Sequence, residues 1–143
     1  MSDPIRILGL DLGSKRIGVA ISDDMGWTAQ PRGTLHRKSD RATVDEVVAM
    51  VREQGVQAVV VGHPLNMDGS SGSSARAAEK FAKLLEAAAG VPVHLWDERL
   101  STVAAERVLI EADLSRQKRR RVIDRAAAAY ILQGFLDFRS RGQ

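Results

Sequence analysis

The order of the predicted strands and helices leaves few folds open to this chain. Three β-type segments come first, and alternating helices and strands follow them. The almost continuous apolar run 5–12 predicts a buried strand, and 17–22 predicts a second strand that forms a hairpin with it. A third strand is expected between 27 and 36, where Pro31 restricts it to a sheet edge or an interrupted strand.

Helical and β-type patterns alternate in the rest of the chain. The elements predicted there are a helix over 43–54, a strand over 56–61, a Gly/Ser-rich loop over 62–74, a helix over 74–89, a strand over 91–96, a helix over 101–112, a polar basic connector over 115–121 and a final helix over 122–139. A hairpin followed by βαβ units predicts an α/β fold, with a mixed five-stranded sheet flanked by helices.

Length and composition narrow the class of protein. The 143 residues suit one domain spanning 1–143, and the absence of cysteine excludes disulfides, thiolate zinc sites and cysteine nucleophiles. We expect a cytoplasmic protein without a membrane span, because no signal peptide or long apolar run is visible. The net charge of +3 favours an anionic partner such as nucleic acid, although a charge this small is weak support.

Asp11 stands near the end of the first apolar run. An unpaired carboxylate buried there would cost several kcal/mol, so a metal ion, a cation or backbone donors must compensate. The alternative is an ordinary turn aspartate that bonds its own backbone before Gly13. The sequence around Asp11 leaves both interpretations open.

A pair of acids, Asp97 and Glu98, ends the last predicted strand. Ligands collect at strand ends in open α/β sheets. Because side chains alternate along a strand, only one of the two acids can face a site near Asp11. The alternative is a helix-start acid pair that complements the macrodipole of a helix beginning near Ser101.

Asp124 lies in the first turn of the predicted final helix. It precedes an apolar stripe that must face the sheet, and the alanine run 126–129 lets this helix approach the sheet closely. The alternative is again a simple helix-start acid. The stripe comprises Ala127, Ala128, Ile131 and Phe135.

Three carboxylates at the ends of core elements form a candidate catalytic and metal site. Oxygen ligands suit Mg²⁺ or Mn²⁺, and two such ions can activate water and stabilise the leaving oxygen in phosphodiester cleavage. Basic residues follow Asp11 and Glu98 and precede Asp124, as binding of a phosphate backbone would need, although a single charge run is usually just solvated. The candidate nucleic-acid-binding residues are Lys15, Arg16, Arg99, Lys118, Arg119 and Arg120.

Several ordered motifs resemble the YqgF/RuvX family, whose members are described as Holliday junction resolvases or pre-16S rRNA nucleases. The resemblance implies a ribonuclease H-like fold and a divalent-metal carboxylate site, and it selects Glu98 over Asp97. His63 departs from the family, which usually carries a small apolar residue there. The matching motifs are GLDLG at 9–13, RIGVA at 16–20, GHPLNMDG at 62–69, DERLST at 97–102, DRAAA at 124–128 and ILQ at 131–133.

The leading hypothesis is therefore a metal-dependent nuclease that processes the 5′ end of pre-16S rRNA, in association with the ribosomal particle. A Holliday junction resolvase acting on branched DNA is the main alternative. A non-catalytic assembly factor and a sugar-kinase-like phosphotransferase are the others, and the phosphotransferase would need a second domain. We expect a monomer or weak homodimer, because no apolar stripe for a stable dimer is apparent.

Overall fold

The computed structural model describes residues 5–100 and 116–141, with side chains described for 5–100 and 126–140. The predicted helix over 101–112 lies outside the described residues. No helix in the described ranges is long and apolar enough to cross a membrane. The elements are β1 (Ile7–Leu12), β2 (Arg16–Ser22), β3 (Ala29–His36), α1 (Asp40–Gln54), β4 (Ala58–His63), α2 (Ser73–Ala89), β5 (Val93–Asp97), a 3₁₀ turn (Glu98–Leu100) and α3 (Arg116–Arg141).

The five strands form one mixed sheet in the order β3-β2-β1-β4-β5. Strands β1, β2 and β3 pair antiparallel, whereas β4 runs parallel to both β1 and β5. The expected α/β architecture with a mixed five-stranded sheet is thus confirmed. The carboxyl ends of β1, β4 and β5 meet at one edge, so residues at those three ends are brought together from distant parts of the sequence.

Helices cover both faces of the sheet. Leu8 and Leu10 of β1 belong to an apolar cluster that includes α1 and α2. Ile7 belongs to the opposite cluster, which includes α3. Gly9 faces α3 as well, since a Cβ placed on it would lie 2.8 Å from Cβ of Leu132. This alternation on β1 assigns the face of every residue along the strand.

Strand β3 is an edge strand, as Pro31 predicted. The pairing of β2 with β3 shifts register between Val19 and Ala20, and Pro31 lies opposite Ala20 after the shift. The side chain of Gln133 on α3 accepts a hydrogen bond from Ala29 N at 2.9 Å and donates one to Trp27 O at 3.0 Å. This amide therefore attaches the start of the edge strand to α3.

Helix α3 begins at Arg116, so the prediction of a basic connector over 115–121 is wrong from residue 116 onward. Arginine, lysine and glutamine are good helix formers, and the basic run is continuous with the alanine-rich segment. Asp124 consequently lies about two turns inside the helix, not in its first turn. The helix-start explanation for Asp124 fails with this correction, because the macrodipole acts mainly within the first turn.

The remaining boundaries differ from the predictions by a few residues. Strand β4 extends to His63, so Gly62 and His63 belong to the sheet and the loop begins at residue 64. Helix α1 begins earlier than predicted, at Asp40, because the Ser39 hydroxyl caps it by accepting a hydrogen bond from Ala42 N at 3.2 Å.

Candidate carboxylate site

Asp11 is a buried acid at the carboxyl end of the central strand. Its exposed fraction is 7%. Because Ile7 and Gly9 face α3, the alternation of β1 directs the Asp11 side chain to that same face. A carboxylate in this position is largely shielded from water, which strengthens its interaction with any cation that reaches it.

Glu98 lies against a strand residue that has no side chain. A Cβ placed on Gly62 would stand 3.0 Å from Oε2 of Glu98 and 2.6 Å from Cδ1 of Ile131. Ile131 belongs to the apolar cluster of α3, so the Glu98 carboxylate is on the α3 face of the sheet. Glycine at position 62 leaves the space that the carboxylate occupies.

The register of the sheet brings Asp11 and Glu98 to the same edge and the same face. Leu10 pairs with Val61 in the parallel ladder, so the next residues, Asp11 and Gly62, lie side by side on neighbouring strands. Adjacent strands are about 4.8 Å apart. Since the Glu98 carboxylate lies over Gly62, the two acids approach one another at the carboxyl edge of the sheet.

Asp97 is directed away from this pair. Trp96 belongs to the α3-facing cluster, so its neighbour in β5 faces the opposite side of the sheet. The Asp97 carboxylate binds the guanidinium of Arg99, with Nη2 2.7 Å from Oδ2. Hydrogen bonds from Arg99 lower the pKa of Asp97 below its usual value. The two adjacent acids thus lie in different environments.

Helix α3 runs antiparallel to β1. Leu132 packs on Gly9 in the middle of the strand. Arg139, two turns later, lies against Gly26 together with Ile5, which precedes the strand. Earlier residues of α3 therefore lie toward the carboxyl end of β1, where Asp11 is found.

Along the direction of β1, the backbone of residue 124 lies level with Asp11. The backbone oxygen of Ala128 would be 3.2 Å from a Cβ on Gly9. Four helical residues rise about 6 Å, and two strand residues extend about 6.6 Å. The distance from Ala128 to Asp124 along α3 thus matches that from Gly9 to Asp11. The Asp124 side chain lies outside the described residues.

The donor set at this edge fits a hard divalent cation. Asp11 and Glu98 supply carboxylate oxygens, the ligands that Mg²⁺ and Mn²⁺ prefer. Among the described side chains, no three acids or histidines are grouped closely enough to hold a metal ion. A third ligand would have to come from outside the described side chains, and Asp124 is the candidate that the sequence predicts.

The predicted phosphate-binding residues differ in their surroundings. Lys15 is exposed and Arg16 is half-buried, in the tight turn that a bond from Gly13 N to Arg16 O closes at 2.9 Å. Arg99 is engaged with Asp97 and donates from Nη1 to Met67 O at 3.3 Å. The side chains of Lys118, Arg119 and Arg120 lie outside the described residues, although their backbone belongs to α3.

Sequence reasoning missed a polar cluster next to this edge. The His63 ring lies 2.7 Å from Oε2 of Glu79 on α2, and the Ser71 hydroxyl donates to the same oxygen at 2.8 Å. These bonds, led by that from His63, lower the pKa of Glu79. They join the end of β4 to the loop that follows it. The departure of His63 from the family pattern was the available signal.

The fold is that of a ribonuclease H-like protein, with two acids at the carboxyl edge of its sheet. RuvC from Thermus thermophilus in complex with a Holliday junction substrate superimposes with a TM-score of 0.59, at 14% identity, over 95% of this chain and 97% of that one. The Holliday junction resolvase of fowlpox virus gives 0.52, at 14% identity, over 94% and 99%. Identities this low establish the fold alone.

The family is established by sequence. The RuvX family model, described as Holliday junction resolvase, matches residues 5–138, and the chain belongs to this family. A relative from Moorella thermoacetica, named “Putative pre-16S rRNA nuclease”, is 56% identical over 133 residues, which cover 93% of this chain and 95% of that protein.

Proposed function

We propose that this chain is a metal-dependent nuclease that hydrolyses phosphodiester bonds, with Asp11, Glu98 and Asp124 as its catalytic acids. The observation that carries the proposal is the approach of Asp11 and Glu98 over the bare backbone of Gly62. A cation at the carboxyl edge of this sheet would be attracted by both carboxylates, one of which is only 7% exposed.

Each residue has a distinct part in this scheme. Asp11, Glu98 and Asp124 would hold Mg²⁺ or Mn²⁺, which supplies charge stabilisation and activation of water when bound. Asp11 is rigidly placed by the central strand, and Glu98 is held against β4. Lys15 and Arg16, in the turn after Asp11, would bind the phosphate backbone and orient it across the acids.

The proposed substrate is the 5′ end of pre-16S rRNA, cut in the cytoplasm on the assembling ribosomal particle. Support comes from the names of relatives such as that of Moorella thermoacetica. Resolution of a four-way DNA junction is the second candidate, favoured by the description of the family model. A resolvase needs two paired sites and hence a dimer, whereas one domain spanning 1–143 and acting as a monomer or weak homodimer suits RNA.

Substitution of the acids tests the catalytic assignment. Asp11→Asn, Glu98→Gln and Asp124→Asn should each abolish cleavage while nucleic-acid binding persists, because each change removes charge and almost no volume. The matched control is Asp45→Asn on the exposed side of α1, which should cleave like the wild type. Near-normal turnover by any of the three variants would remove that residue from the catalytic set.

A substrate panel distinguishes the two candidate activities. Purified protein with Mn²⁺ is offered precursor 16S rRNA, single-stranded RNA and four-way DNA junctions, and 16S 5′ ends are mapped in depleted cells. We expect cleavage of the RNA and accumulation of unprocessed 5′ ends. Normal 5′ ends, together with paired symmetric nicks in the junction, would replace the RNA assignment with the resolvase.

A further inference from the structure

Asp97 and Arg99 flank Glu98 in the sequence and form a short hydrogen-bonded turn with one another. The Arg99 guanidinium forms a bidentate salt bridge with the Asp97 carboxylate, with Nε 3.0 Å from Oδ1 and Nη2 2.7 Å from Oδ2. The backbone N–H of Arg99 also donates to Oδ1 at 3.0 Å. A bidentate salt bridge fixes the relative orientation of the two side chains as well as the distance between them. The residue between the two partners is therefore held in one backbone conformation.

The same guanidinium reaches the loop that follows β4. Nη1 of Arg99 donates to Met67 O at 3.3 Å. It would lie 3.5 Å from a Cβ on Gly69, whose φ of +87° is readily adopted only by glycine. Arg99 thus connects the end of β5 to the loop after β4, the strand on which the Glu98 carboxylate lies.

These interactions compete with the role expected for Arg99 from the sequence. A phosphate would have to displace the Asp97 carboxylate from the guanidinium, and Asp97 neutralises the charge that would attract it. They instead fix the turn that carries Glu98, and a metal ligand depends on such fixed supporting structure for its orientation.

We propose that Asp97 and Arg99 are positioning residues, which hold the Glu98 carboxylate against Gly62 in the geometry needed beside Asp11. The inference rests on the proposed function, since it assumes that Glu98 is a metal ligand. It extends that function by giving the Asp97–Arg99 pair a role in orienting Glu98, and not in binding nucleic acid. Removal of either partner should leave Glu98 present but poorly oriented.

The test uses the variants Arg99→Lys and Asp97→Asn. Mn²⁺ affinity is measured by calorimetric titration without nucleic acid, kcat and KM with the cleaved substrate, and binding as a function of salt. We expect both variants to bind Mn²⁺ about tenfold more weakly and to lose kcat by a similar factor. KM and the salt slope should stay near their wild-type values.

The matched control is Arg76→Lys. Arg76 donates from Nη1 to Ser71 O at 3.3 Å, so it contacts the same loop, but it does not belong to the turn that contains Glu98. It should leave Mn²⁺ affinity and kcat unchanged. Thermal unfolding of every variant separates a defect in positioning from a defect in folding.

Two outcomes would overturn the inference. The first is wild-type Mn²⁺ affinity and kcat in Arg99→Lys, because this change keeps the positive charge but removes the bidentate salt bridge. The second is tighter nucleic-acid binding by Asp97→Asn with unchanged Mn²⁺ affinity, as expected if Arg99 bound phosphate. Failure of the proposed function looks different, because the wild type would then bind no Mn²⁺ and cleave no substrate.

Discussion

Gly62 is the residue on which the arrangement of the two described acids most depends. It lies in strand β4, where a glycine forfeits packing and costs backbone entropy. The Glu98 carboxylate and the end of Ile131 occupy the space that a side chain would take. A glycine inside a strand signals close approach by another group, and here that group is a candidate metal ligand.

We predict that Gly62→Ala impairs activity more than stability. The added methyl would stand 2.6 Å from Cδ1 of Ile131 and 3.0 Å from Oε2 of Glu98, so both must shift. We expect a loss of about 1–3 kcal/mol in urea unfolding and a fall of about 100-fold in kcat. The control is Gly72→Ala, whose methyl would meet Asn66 at an ordinary 3.6 Å. Equal losses in both variants would contradict the prediction.

We expect the Glu79 carboxylate to make a pH-dependent contribution to stability, reduced by screening because the side chain is partly exposed. Hydrogen bonds from His63 and then Ser71, with added attraction from Lys83, lower the pKa of Glu79 below its ordinary 4.5. A carboxyl whose folded pKa is lowered stabilises the fold above its ordinary pKa, and this stability is lost as the pH falls through the lowered pKa.

Comparison of the wild type with Glu79→Gln in urea unfolding measures this contribution. We expect the wild type to be more stable at pH 7 and its advantage to shrink toward about pH 3. Glu53→Gln, at an exposed position on α1, is the control for replacing a glutamate by glutamine. A constant difference between wild type and Glu79→Gln across this range would show that ionisation of Glu79 is not involved.

Among the elements, helix α3 joins the C-terminal part of the chain to strands β1 and β3. Its small residues allow the backbone oxygen of Ala128 to come close to Gly9. Gln133 extends the packing to the edge strand by bonding Ala29 N. The helix continues back to Arg116, so the basic run stands on an ordered helix that leads to the carboxyl edge of β1.

Neutralising the basic start of α3 should weaken nucleic-acid binding across sequences. The triple variant Lys118→Gln, Arg119→Gln, Arg120→Gln keeps good helix formers and removes three charges. For every phosphate that is no longer bound, the slope of log affinity against log salt should flatten by about one, or about 0.7 on single strands. The control replaces Arg41 and Arg52 of α1, on the other face of the sheet. An unchanged slope in the triple variant would locate the nucleic-acid track elsewhere.

At the scale of the whole molecule, the parallel pairing of β1, β4 and β5 creates one edge at which acids from positions 11 and 98 gather. Residue 124 reaches that edge through the antiparallel run of α3. A cation that binds these acids in the native state and not in the unfolded chain would stabilise the fold by mass action. Metal binding and global stability are therefore expected to be coupled.

We predict that Mn²⁺ raises the Tm of the wild type. At 100 times the Kd, binding to the native state adds about 2.7 kcal/mol, or about 5–10 °C for a chain of this size. Asp11→Asn and Glu98→Gln should lose most of this shift, whereas Asp45→Asn should retain it. A wild-type Tm that does not respond to Mn²⁺ would argue against a metal site at this edge.

Local sequence patterns were enough to predict the order of the elements, the mixed sheet and the edge position of β3. These follow from local patterns: continuous apolar runs, helical spacing and the missing N–H of Pro31. The sequence also identified Asp11 as an acid at a strand end, because a carboxylate in an apolar run is conspicuous.

Tertiary structure alone decided the environments of the two adjacent acids. The register of β4 against β5 and the packing of α3 direct Glu98 to Gly62 and leave Asp97 to Arg99. The start of α3 was likewise hidden, because basic helix formers fit a solvated connector as well as a helix. Such choices depend on interactions between residues far apart in the chain, which no local pattern encodes.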